Sequence, residues 1–155
     1  MFERRHGDHL RALRLTRELT IRGLATRIGL SHQTIVRIER GERPVHAVDL
    51  APLQRALGET QIDNLLPPGQ RTPRSPEGLV SWVSRQTLAN HYNHLRGDRS
   101  IEAVAATLGV PKTRAWRILR NRSHLETRLL IRLAVAWVQP LSAFWPAQED
   151  EWEIA

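Results

Sequence analysis

Residues 20–57 and 100–137 align without a gap when the sequence is shifted by 80 positions, and nine of the 38 pairs are identical. Such a repeat admits only folds in which one small supersecondary unit occurs twice. The identities pair Ile21 with Ile101, Ala25 with Ala105, Gly29 with Gly109, Arg37 with Arg117, Ile38 with Ile118 and Arg40 with Arg120. Further along they pair Leu50 with Leu130, Leu53 with Leu133 and Ala56 with Ala136. These are the positions that two helices crossing at a steep angle require. A small residue is needed where they touch, and a residue tolerant of positive φ is needed in the turn between them.

Around the repeat, apolar residues recur at helical spacing and no stretch alternates with period two, so the chain reads as all-α. The spacing predicts helices over 7–17, 21–28, 32–39 and 47–57, then over 79–94, 101–108, 112–120 and 125–138. Thr20 and Ser31 are placed to cap the second and third of these by accepting backbone N–H bonds. Between Pro67 and Gly78 the chain reads PPGQRTPRSPEG, the composition of a semi-rigid extended linker. The expected organisation is a first helical domain over 1–66, a linker over 67–78, a second helical domain over 79–145 and an acidic tail over 146–155. At about 3.1 Å per residue, an extended linker of this length spans about 37 Å.

The charge points to an anionic polymer. The net formal charge is +7, and almost every cation is arginine, whose planar guanidinium suits phosphates and base edges. Four acids fall within the last seven residues, so a body of +11 precedes an acidic end. The absence of cysteine excludes a disulfide framework and a thiolate metal site. His6 with His9, and His91 with His94, are each three apart but lack a third ligand at metal-site spacing, so they read as solvated or phosphate-facing. Neither a phosphate-cradling glycine loop nor a nucleophile motif is present, and no enzyme and no cofactor are expected. The N-terminus is unlike a signal peptide, and the longest uncharged run is broken by Pro140 and Pro146. A cytoplasmic, nucleoid-associated protein without a membrane span is therefore expected.

Over residues 10–58 the chain resembles the Cro/CI-type, or xenobiotic-response-element (XRE), helix-turn-helix regulators. The likeness is carried by LRALR, by LATRIGLSHQTIVRIERG and by LAPLQRALG. It implies two tandem lambda-repressor-like domains. It also implies that His32, Gln33, Val36 and Arg37 read bases, and that Arg22, Thr34, Arg40 and Arg43 meet the DNA backbone. The family often has a phosphate-clamping glutamine where this chain has Ile21. By counterpart position, Lys112, Thr113 and Arg117 are the base-reading candidates of the second unit, with Arg114, Arg120 and Arg122 toward the backbone.

The second unit departs further from the pattern: Leu119 stands for the glutamate of IERG, Asn121 for the glycine and Pro111 for the capping serine. Trp116 lies where an outward residue is expected. It is either an anchor against the linker or C-terminal segment, or a DNA contact. The functional expectation is a regulator, a repressor in its simplest form, that binds a bipartite double-stranded operator. Its rival is an antitoxin-type module that binds a partner, or a second copy of itself, through the aromatic and acidic C-terminal segment and autoregulates through the first unit. Trp137, Phe144, Trp145 and Trp152 either close the second core or form that surface.

Overall fold

The computed structural model describes residues 1–147. Among them lie eight α-helices: α1 (Phe2–Thr16), α2 (Ile21–Ile28), α3 (His32–Glu39), α4 (Leu50–Leu57), α5 (Arg85–Arg96), α6 (Ile101–Leu108), α7 (Lys112–Leu119) and α8 (Thr127–Ala136). Short 3-10 turns form at Ala47–Asp49, Ile62–Leu65 and Leu141–Phe144, and no strand forms among the described residues. The all-α expectation holds.

Local chemistry sets the helix ends. Thr20 accepts from Gly23 N and Ser31 from Thr34 N, each satisfying one orphan donor of its helix. Ser100 does the same for Ala103 N, while Pro111 opens α7 without a side-chain cap. Gly29 and Gly109 close α2 and α6 at φ 75° and 71°, a region that costs an L side chain strain. Gly41 and its counterpart Asn121 are both left-handed, at φ 73° and 57°. Asparagine is one of the few other residues that tolerate this conformation, so the substitution leaves the turn intact.

The halves are built alike well beyond their identical residues. From 31 to 40 and from 111 to 120 the sequence of buried, half-buried and exposed positions is the same residue for residue. In each half the turn helices pack together (α2 on α3, α6 on α7), and the fourth helix packs on the first helix of that turn (α4 on α2, α8 on α6). The apolar core runs through both halves, from Leu10, Leu24 and Ile35 to Leu130, Leu141 and Phe144. Trp137, Phe144 and Trp145 are buried in it, with Phe144 5.8 Å from Trp137 and 6.4 Å from Tyr92 between ring centroids. They close the second core, the first of the two alternatives for these residues, and so do not form a partner surface. Trp152 and the acidic run lie outside the described residues.

Two expectations about the segment that joins the halves are corrected. A helix from residue 79 does not form, because Ser84 caps a helix that starts at Arg85, while Val80 N is taken by Gln54 Oε1 at 3.0 Å. Nor is the proline-rich segment a free tether. Ser75 is buried and donates from both N and Oγ to the Asp63 carboxylate (2.8 and 2.6 Å). Its Oγ also accepts from Ser142 N at 3.1 Å. Gln61 donates to Ser75 O and Gln54 to Gly78 O, both at 2.9 Å. The segment is thus fastened between the turns Ile62–Leu65 and Leu141–Phe144, and a 37 Å span is not what it provides.

Three of the four paired histidines are structural rather than solvated or phosphate-facing, while His94 is exposed. His6 Nε2 meets Leu65 O at 2.9 Å, His9 Nε2 meets Asn64 O and His91 Nε2 meets Ala143 O, both at 2.7 Å, so each half uses histidine to pin its last turn. Among the described residues no group of three or more His, Cys, Asp or Glu is arranged to hold a metal ion, and no helix is long and apolar enough to cross a membrane.

Burial lowers the pKa of His6 from 6.5 to about 4. Folding therefore favours the neutral ring, and the unfolded chain takes up the proton first as pH falls. This group leaves stability unchanged above pH 6.5 and removes it progressively from there toward pH 4, by about 3 kcal/mol in all. Urea denaturation at pH 7 and pH 4.5 is expected to show the loss, and His6→Gln to make it shallower. An unaltered slope in the variant would contradict this assignment.

Candidate nucleic-acid interface

The first candidate surface is built on α3. Ile35 and Ile38 point into the core, which leaves His32, Gln33 and Arg37 exposed and Val36 half-buried along the outer face. Arg40 is exposed beyond the end of α3 and Arg22 on the outer side of α2. Thr34 is half-buried, with its hydroxyl 2.8 Å from Ser31 Oγ. Arg43 differs from expectation. It is half-buried, with Nη2 3.4 Å from His46 Nδ1 and Nη1 buried without a hydrogen-bond partner, so it faces the seam between the halves.

Arginine and glutamate set the pose of α3. Arg14 on α1 donates from Nε to Glu39 Oε2 and from Nη2 to Oε1, each at 2.8 Å, and from Nη1 to Leu19 O. Both side chains are buried. A two-pronged contact of this kind fixes direction as well as distance. LRALR and IERG were legible as sequence, but their joint role was not, because the two residues are 25 apart.

On the outer face of α7, Lys112, Thr113 and Arg117 are exposed and occupy the places of His32, Gln33 and Arg37. Arg114 is drawn into a 3.1 Å ion pair with Glu126, and Lys112 lies 2.6 Å from Glu102 in a fully exposed pair. Exposed pairs hold weakly and yield to a phosphate. Arg120 and Arg122 lie 5.7 and 5.6 Å from the Trp116 ring. Trp116 is therefore half-buried under two guanidinium groups and not anchored on the linker. Gln86, Asn90, Asn93 and Arg96 complete a polar cleft of about 430 Å³ beside it.

The halves meet through backbone. Ala47 N donates to Leu125 O at 2.7 Å, Thr127 N to Val45 O at 2.9 Å, and His46 and Glu126 face each other in an antiparallel bridge. Thr127 Oγ1 adds a bond to Val45 O at 2.8 Å. His46 stacks on His124 with ring centroids 4.0 Å apart, and Arg85 lies 2.8 Å from His124 Nε2. Burial, then the charges of His124, Arg43 and Arg85, lowers the His46 pKa to about 4. Across the edge of the seam Glu3 pairs with Arg128 at 3.6 Å. None of these contacts was apparent from the sequence, although the shift of 80 already paired 45–47 with 125–127.

Residues 6–65 match the family model for a helix-turn-helix domain. The chain is also similar to a solved structure, the restriction-modification controller protein C.AhdI from Aeromonas hydrophila. The identity is 32%, covering 94% of that chain and 41% of this one, with a TM-score of 0.39. The chain belongs to the helix-turn-helix family. It is a DNA-binding helix-turn-helix regulator of the XRE type, and α2 and α3 lie within the matched residues. No curated protein matches the chain at comparable stringency.

Proposed function

We propose that this helix-turn-helix protein is a transcriptional repressor that occupies a bipartite double-stranded operator, with α3 reading one half-site and α7 the other. The observation that carries this reading is the like exposure of the two outer faces, His32, Gln33 and Arg37 against Lys112, Thr113 and Arg117, on helices of the same length and pose. A helix laid in the major groove offers such side chains to base edges. Arg37 and Arg117 suit guanine, Gln33 suits adenine, and Val36 suits a thymine methyl. Arg22, Arg40, Arg120 and Arg122 stand at the flanks, where guanidinium groups meet phosphates. Affinity then falls steeply with salt, while discrimination rests on the few base contacts. Repression follows from occupancy alone. The rival antitoxin-type reading loses support because Trp137, Phe144 and Trp145 are core residues.

Arg37→Ala is expected to cost about 1–3 kcal/mol on the selected operator and to relax preference at one base pair. Arg22→Ala is expected to weaken all duplexes alike and to flatten the salt dependence by about one ion. Binding titrations on selected and random duplexes over a salt series measure both. An equal loss on both duplexes for Arg37→Ala would remove its base-reading role, and the absence of any enriched sequence in selection from a random pool would remove the operator reading itself.

A further inference from the structure

We infer that a single chain fills one operator as an internal counterpart of a symmetric dimer, and that its two half-sites run in opposite directions, as an imperfect inverted repeat. This rests on the DNA-reading role proposed for α3 and α7 and adds to it the orientation and stoichiometry.

The argument is one of symmetry. The shift of 80 that relates the halves carries Val45, His46 and Ala47 onto Leu125, Glu126 and Thr127. It is these segments that meet, and they meet reciprocally: 47 donates to 125 while 127 donates to 45, and 46 faces 126 in an antiparallel bridge. When a surface contacts its own counterpart, with i meeting j and j meeting i, the relation is a two-fold axis. Two units repeated in the same direction would instead join unlike surfaces. A second pair of counterparts also meets, since the turn Ile62–Leu65 packs against Leu141–Phe144. The reciprocal contact at 45–47 and 125–127, with the packing of these like turns beside it, puts one local dyad through the middle of the chain.

B-DNA has dyads of its own, perpendicular to its axis. A protein whose two recognition helices are related by a dyad therefore reads half-sites of opposite orientation. The seam that a homodimer would form between copies is already occupied within the chain. Its halves have also diverged: Thr127 returns an Oγ1 bond to Val45 O that Ala47, its counterpart, has no atom to make. The covalent connection raises the effective concentration of one half for the other to about the millimolar range. The half-sites differ because Lys112, Thr113 and Trp116 stand for His32, Gln33 and Val36. They agree where Arg37 and Arg117 reach, so the inverted repeat is strongest at the base pairs those arginines read.

The test is selection of bound duplexes from a random pool, with wild-type protein and with K112H/T113Q/W116V, which places the outward side chains of α3 on α7. Wild-type protein is expected to select an imperfect inverted repeat and the variant a palindrome of the α3 half-site. Native mass measurement should find one chain per duplex in both cases. Should the variant fail to fold, inverting one half-site of the wild-type operator is the independent measurement, with an expected loss in affinity of at least tenfold. A direct repeat, a lone half-site or two chains per operator would overturn the inference and leave DNA reading by α3 standing. Absence of any selected sequence would overturn both together.

Discussion

Glu39→Ala is expected to destabilise the protein by about 3–5 kcal/mol, because it leaves the Arg14 guanidinium buried without its carboxylate. The geometry makes the loss large. Two of the three hydrogen bonds Arg14 makes go to Glu39, at 2.8 Å each, and neither side chain has solvent to turn to. The pair as a whole is worth far less than its rupture, since taking both charges out of water offsets most of their attraction. The second half illustrates the alternative: at the counterpart of Glu39 it buries Leu119, and Asn93 donates to Leu119 O at 2.7 Å. Arg14→Met combined with Glu39→Leu is accordingly expected to recover most of the stability lost in Glu39→Ala. Urea denaturation of the wild-type, single and double variants measures this. A double variant as unstable as Glu39→Ala would show that the pair holds α1 to α3 in a way apolar packing does not replace.

Phe144→Ala is expected to cost a further class of stability, about 3–5 kcal/mol, through the cavity it leaves. Phe144 is fully buried against Trp137 and Tyr92, in the turn that also receives the His91 hydrogen bond through Ala143 O. Trp137 and Trp145 are buried close by, so tryptophan emission should shift toward longer wavelength at a lower urea concentration than in wild-type protein. Unchanged stability would be the signature of a surface residue and would revive the C-terminal aromatics as a docking face. The magnitude also distinguishes burial from exposure on the outer helix faces, where substitutions such as Arg37→Ala should leave folding nearly untouched while changing DNA binding.

Much of each half was legible because its chemistry is local. Gly29 and Gly109 mark the turns by their conformational freedom, Thr20 and Ser31 mark helix starts by reach, and the apolar spacing marks the inward faces. The observed α2, α3 and α6 span the residues that spacing predicts. What failed was equally specific. Residues 79–84 carry helix-compatible residues but stay out of α5, because Gln54 and Arg55 hold Val80 against the first half. The linker reads as a tether until Ser75 is found between Asp63 and Ser142. Arg43 reads as a phosphate contact until its guanidinium is seen in the seam.

Sequence alone therefore determined that this chain contains a helix-turn-helix, which residues face outward on α3 and α7, and that the two stretches share one pattern. These properties follow from side-chain spacing over a few turns of helix, where contacts are between near neighbours. Only the tertiary structure decided how the two halves face each other. The seam is made by backbone N–H and C=O groups at 45–47 and 125–127, and every non-proline residue offers the same pair of groups. Such a pairing leaves almost no mark in residue identity, yet it sets the dyad that decides which way each half reads DNA.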